Sequence, residues 1–228
     1  MIGIIKEKRS ISDVLKMTPS TWKGFFDDNY DIVCKIESDL KNEDILPSPS
    51  LTFRVFYEVP LDHVKVIIIG QDPYHELGMA DGLAFSCQKD INPSLKNIYR
   101  NLQMNIHEWS RPNHGNLSKW ASQGVFLYNM ALSVEKGKPR SHIGIWRFFT
   151  ENLLLHLRKH KKNIIYILWG ADARKLIKHM DIKNNLILES NHPSPQVRNS
   201  DFMQHDHFNE ANIYLKSKNK SMIDWKLD

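Results

Sequence analysis

The chain has 228 residues, with 31 basic against 26 acidic side chains, a formal charge of +5 and a pI near 9.1. With 41% hydrophobic and 25% charged residues it has the composition of a globular protein, which excludes collagen-like, coiled-coil and disordered classes. Two cysteines, Cys34 and Cys87, are too few for a disulfide framework or for a structural zinc site of their own, so a reducing compartment is expected.

The opening MIGIIKEKRS carries an apolar stretch too short for the core of a signal peptide, and no later run approaches the roughly 18 apolar residues of a membrane helix. The expectation is an intracellular protein, in cytoplasm or nucleus, without a membrane partner. Up to residue 50, Val14, Leu15, Trp22, Phe25, Phe26, Ile32, Val33, Ile36 and Leu40 recur at spacings that suit amphipathic helices, and ILPSPS at Ile45 to Ser50 closes this helical segment. From Val64 the rhythm changes. Short runs rich in Val, Ile and aromatic residues, namely 64–69, 83–86, 125–128, 164–169 and 186–188, alternate with segments of helical period. Leu95, Ile98, Tyr99 and Leu102 share one helical face after Ser94, a candidate N-cap, and a second crossover helix is predicted over 148–159. This alternation predicts an α/β fold whose mostly parallel strands are joined by helical crossovers.

Most of the runs end in a polar turn containing Gly or Pro: GQDPYH after the first, Asn129 after the third, GAD after the fourth and NHPSPQ after the fifth. Ligands of open α/β sheets bind at the carboxyl ends of the strands, so these scattered turns should converge on one crevice. GQDPYH places a carboxylate, a rigid turn, a phenol and an imidazole within six residues of a buried strand. Taken singly, Asp72 reads as a turn-capping carboxylate, Asn129 as a strand-end turn residue and His192 as a loop cap. Taken together with GLAFS at 82–86, RPNHG at 111–115, WASQGV at 120–125, HPSP from His192 and MIDW at 222–225, they resemble the main uracil-selective family of uracil-DNA glycosylases.

The resemblance implies a three-layer α/β/α fold with a short central, mostly parallel sheet flanked by helices. It implies one domain over 1–228, with the helical segment 1–50 packed on a catalytic core at 60–228. The implied reaction is hydrolysis of the uracil–deoxyribose bond in DNA after the nucleotide is flipped into a pocket, leaving an abasic site, with neither metal nor cofactor. Asp72 matches the carboxylate that stabilises the developing sugar cation and orients water, and His192 the donor to uracil O2. Asn129 matches the residue that reads uracil O4 and N3–H, Tyr74 the ring that excludes the thymine methyl, Phe85 the stacking partner and Gln71 a backbone contact to the base. Ser94, Gly170 and Ser194 match phosphate-gripping loops, with His75 beside the pocket as a phosphate or water contact. The implied partners are single- and double-stranded uracil-containing DNA, with a protein inhibitor or a replication factor as further candidates, and the implied state is a monomer.

The chain departs from the family pattern in the DNA-gripping loops. Gln196 stands where a leucine wedge is usual, so either Gln196 pairs with the orphaned base or Val197 supplies the wedge. Ser200 replaces an arginine, with Arg198 nearby as a substitute; Ala171 replaces a serine; and the loop before Ser94 is reduced to Asn92 and Pro93. The competing readings are a catalytically weak DNA-binding scaffold of a replication or repair complex, a glycosylase for another damaged base, and a metal-dependent hydrolase. His156 and His160 have the i, i+4 spacing of a ligand pair, but the surrounding Arg158, Lys159, Lys161 and Lys162 repel a cation, and His205 and His207 carry no ligand role.

Overall fold

The structure, a computed structural model, describes residues 19–40, 43–177 and 183–227. The predicted helical positions Val14 and Leu15 lie outside the described residues. The described helices are α1 (Lys23–Asp28), α2 (Tyr30–Leu40), α3 (Pro49–Thr52), α4 (Arg54–Glu58), α5 (Pro93–Asn105), α6 (Ser118–Ala121), α7 (Ile143–His160), α8 (Ala171–Ile177) and α9 (His207–Ser217). The strands are β1 (Ile45–Leu46), β2 (Val66–Gly70), β3 (Val125–Asn129), β4 (Val134–Glu135), β5 (Ile165–Trp169) and β6 (Leu186–Ser190).

β2, β3, β5 and β6 form a parallel sheet in the order β3-β2-β5-β6, while β1 and β4 pair as a short antiparallel ribbon. All five residues of β2, β3 and β5 are buried, which is why these strands read as unbroken apolar runs rather than as alternating ones. The chain passes from β2 to β3 on one side, then crosses to β5 and β6 on the other. Because such crossovers are right-handed, reversing their direction moves the connecting helix to the opposite face, and three layers result. On one face, Trp22, Phe25, Phe53, Phe56 and Phe149 from α1, α4, α7 and their flanks interlock around Phe126 of β3, with Trp22 and Phe56 ring centroids 5.0 Å apart. Elsewhere in the same apolar cluster, the Trp109 and Trp120 indoles both donate to the Trp225 carbonyl at 3.0 and 3.1 Å, tying the C-terminal segment to the body. These indoles bury a large ring without orphaning its N–H.

Three sequence expectations change. Residues 83–86 are not a strand: Gly82 and Phe85 have φ of +90° and +65°, and only the Ala84 amide reaches β3, donating to Leu127 at 2.9 Å. Left-handed residues cannot continue an extended ladder. The cap of α5 is Asn92, whose side chain accepts from the Ser94 amide at 3.1 Å, with Pro93 in the first turn and Ser94 already helical. The second crossover helix begins earlier than predicted, at Ile143.

The start of β2 is seated by Gly124, which has φ of +97° and accepts from the Lys65 and Val66 amides at 2.9 and 3.2 Å. A Cβ there would lie 2.2 Å from the His63 carbonyl oxygen. Gly124→Ala is expected to destabilise the fold by about 1–3 kcal/mol, read as a lower denaturation midpoint in urea; an unchanged midpoint would contradict this packing.

Candidate functional site

The parallel strands end in step, with Gly70 opposite Asn129 and Trp169 opposite Ser190. The loops after all four strands therefore emerge at one edge, and β2 and β5 flank the point where the crossovers reverse direction. Here a cavity of about 170 Å³ opens, and Gln71, Asp72, Tyr74, His75, Phe85, Ser94, Asn129 and His192 all line it. Eight residues predicted from dispersed motifs thus share one wall or another of a single space.

Gly70 makes this convergence possible. A Cβ at Gly70 would sit 2.2 Å from Asn129 Oδ1, so glycine lets the Asn129 side chain lie across the end of β2. Asn129 is buried, and among the described residues its side-chain amide has no hydrogen-bond partner. The amide packs on Gly70, and its donor and acceptor are both available to a ligand. Tyr74 is fixed by its hydroxyl, which donates to the Phe85 carbonyl at 2.9 Å, while burial pushes the phenol far above its ordinary value. Phe85, in its left-handed conformation, lies against Trp169 at 5.3 Å and His192 at 5.8 Å between ring centroids.

The two titratable walls differ in their surroundings. Burial raises the Asp72 carboxyl above its usual range, opposed by the Arg140 backbone N–H and by the charges of Arg140, His75 and His142. That backbone bond reaches Asp72 Oδ2 at 2.5 Å. Burial lowers His192, against a weaker upward pull from Asp172. His192 Nδ1 accepts from the Ser194 amide at 3.1 Å, an assignment that leaves the proton of the neutral ring on Nε2.

Two residues missed by sequence reasoning complete the site's frame. Asp172 Oδ2 accepts from Gln71 Nε2 at 2.7 Å and from Arg140 Nη1 at 3.0 Å. Asp172 could have been suspected from its place in the turn after β5; nothing in the sequence around Arg140 marks it. The remaining predicted residues do not line the cavity. Gly170, with φ of +98°, brings its backbone against His192, where a Cβ would lie 3.1 Å from the His192 Cβ. Ser194 and Val197 are half-buried in the loop beyond His192, and Gln196 and Arg198 are exposed beside them. Asn97 Nδ2 anchors that loop by donating to the Pro193 carbonyl at 2.7 Å. His156 packs on Phe25 and on His160, and among the described residues no cluster of three or more His, Cys, Asp or Glu is arranged to hold a metal.

The profile of the Uracil DNA glycosylase superfamily matches residues 56–216. The chain belongs to the uracil DNA glycosylase superfamily. It is 46% identical over 191 residues to a uracil-DNA glycosylase of Francisella philomiragia, covering 82% of this chain and 88% of that relative. A counterpart from Francisella tularensis subsp. novicida is also 46% identical, over 186 residues, 80% of this chain and 84% of its own. Among solved structures, the crystal structure of mimivirus uracil-DNA glycosylase superposes with a TM-score of 0.87 at 32% identity, covering 96% of this chain and 90% of that one. The motifs GQDPYH and HPSP thus lie within the matched region, and residues of both line the cavity.

If burial governs His192, its imidazole should titrate below the ordinary 6.5 and carry its proton on Nε2 at neutral pH. Nitrogen-15 NMR of the labelled ring measures both. A midpoint at or above 6.5, or a proton on Nδ1, would contradict the placement.

Proposed function

We propose that the chain is a uracil-DNA glycosylase that flips uracil out of DNA, hydrolyses its N-glycosidic bond and leaves an abasic site for base excision repair. The observation that carries this reading is the cavity itself, with a carboxylate on one wall, a neutral imidazole donor on another and an unpaired amide at its end. In the reaction the C1′–N1 bond breaks with its electron pair leaving on uracil, and water adds to C1′ and gives up its surplus proton to the Asp72 carboxylate, from which it passes to the uracil anion. Ionised Asp72 stabilises the cationic sugar and orients the water, while the His192 Nε2–H donates to O2 as negative charge gathers there. A neutral donor suits this task, since an imidazolium in so confined a site would carry a desolvation cost.

Asn129 offers N–H to O4 and accepts from N3–H, whereas cytosine presents the reverse pattern and would leave two buried polar groups unpaired, costing about 1–3 kcal/mol each. The Tyr74 ring fills the space of the thymine methyl, Phe85 stacks on the base, and the Gln71 backbone meets its edge. Around the rim, Ser94, Gly170, Ser194 and His75 contact phosphates, with Arg198 adding charge and Gln196 or Val197 filling the vacated stack. Such contacts grip DNA without reading sequence, as an enzyme for uracil in any context requires. The proposal takes residues 60–228 as the catalytic core and the helices before residue 50 as packing. A mimivirus UNG variant 32% identical to this chain, with a TM-score of 0.86, was solved in complex with UGI, which supports a protein inhibitor as a second partner.

Incubation with single- and double-stranded oligonucleotides containing one uracil, in the presence of a chelator, followed by alkaline cleavage, is expected to break strands only at uracil. Asp72→Asn should lower that rate by at least about a hundredfold. Intact strands with the wild-type protein would overturn the assignment, and an undiminished mutant would remove Asp72 from the chemistry.

A further inference from the structure

We propose that Asp172, acting through Arg140 and Gln71, is a positioning residue that holds the Asp72 carboxylate in its reactive orientation. The inference rests on the reading of Asp72 given above. Asp72 lies in the loop after β2, Asp172 in the first turn after β5, and Arg140 in the turn between β4 and α7. One carboxylate oxygen of Asp172 binds both Gln71, next to Asp72 in sequence, and the Arg140 guanidinium. Arg140 then presents its backbone N–H, not its charge alone, to Asp72 Oδ2. Three loops are tied together, and the reacting carboxylate sits at the end of the tie.

The backbone of Arg140 has φ of +67°, a left-handed conformation that a non-glycine residue keeps only where its surroundings hold it. The base of the turn is anchored to the body. Ser141 Oγ accepts from the Glu135 amide at 2.8 Å, His142 Nδ1 lies 2.9 Å from Ser133 Oγ, and His142 Nε2 lies 2.6 Å from Glu43 Oε2. The tip is held across the crevice by the Asp172 ion pair. That pair is exposed, so it adds little to stability, whereas a displacement of about 1 Å at a reacting group costs as much as 100-fold in rate. Its weight therefore falls on geometry rather than on folding.

The alternative is that Asp172 acts only as a nearby negative charge, and the two differ in sign. Asp72 is faced by Arg140, by His75 from its own loop and by His142 at the start of α7, with Asp172 behind Arg140 and His192 on another wall. Removing a bare anion stabilises the ionised form of Asp72 and moves the acidic limb of the pH–rate profile to lower pH. Removing the tie instead takes the Arg140 N–H away from a carboxylate that stays buried, and moves that limb to higher pH.

The test is the single-turnover rate of uracil release against pH for the wild type, Asp172→Ala, Arg140→Ala and the double variant, with thermal midpoints recorded alongside. Each single variant is expected to lose roughly 10- to 100-fold at neutral pH with the acidic limb displaced upward. The double variant should be no slower than the worse single one, because both remove the same tie. Asp172→Asn keeps an acceptor oxygen and serves if the alanine variant does not fold; the same upward displacement with a smaller loss is expected. A limb that stays in place or moves downward, or losses that multiply in the double variant, would overturn the proposal. A wild-type protein that releases no uracil would instead overturn the reading of Asp72, so the two failures are distinct.

Discussion

Burial drives both titratable walls of the cavity toward neutrality, raising Asp72 and lowering His192. The proposed chemistry needs only one of these effects. A neutral imidazole is the donor that a departing uracil anion requires, but a neutral carboxyl could not stabilise a sugar cation. The site resolves this by treating its walls unequally. His192 receives a backbone amide on Nδ1 that is compatible with the uncharged ring, while Asp72 receives an amide bond and neighbouring positive charges that favour the ionised form. The proposed chemistry thus calls for a charged carboxylate and an uncharged imidazole in one cavity, and the contacts of each group favour that form.

The fold supplies these unequal surroundings through the register of the parallel strands. Gly70 and Asn129 end β2 and β3 side by side, and the glycine leaves room for the amide. Trp169 and Ser190 end β5 and β6 likewise, and Gly170 lets the two exit loops approach until backbone meets His192. His207 holds this end of β5, since its Nδ1 accepts from Trp169 Nε1 at 3.0 Å while burial lowers the imidazole to about 4. A histidine lowered that far is uncharged through the neutral range, so the support at the end of β5 does not titrate with the site.

The central strands were legible because burial on both faces leaves continuous β-branched runs, and the first long crossover helix because its apolar residues share one face. The loops around the cavity were legible because Asp72, Tyr74 and His192 follow strands, and Asn129 ends one, within distinctive motifs. What sequence could not supply was contact between loops distant along the chain. Arg140 reaches Asp72 through its backbone, so no side-chain type announces it, and Asp172 is recognisable only once Gln71 and Arg140 lie beside it. The apolar run at 83–86 misled for a related reason: Phe85 pairs its carbonyl with Tyr74 in a left-handed turn, and packing rather than periodicity sets that shape. α8 and the β1–β4 ribbon are too short to carry a periodic signal.

The account turns on an ionised Asp72 within a cavity that also holds a neutral histidine. Carbon-13 NMR of the aspartate carboxyls against pH, with the Asp72 signal assigned by its loss in an Asp72→Asn sample, measures that state directly. The midpoint should lie above the ordinary 3.8 with the group fully ionised by neutral pH. An Asp72 that is still protonated at neutral pH, or one that titrates at or below 3.8, would contradict the account.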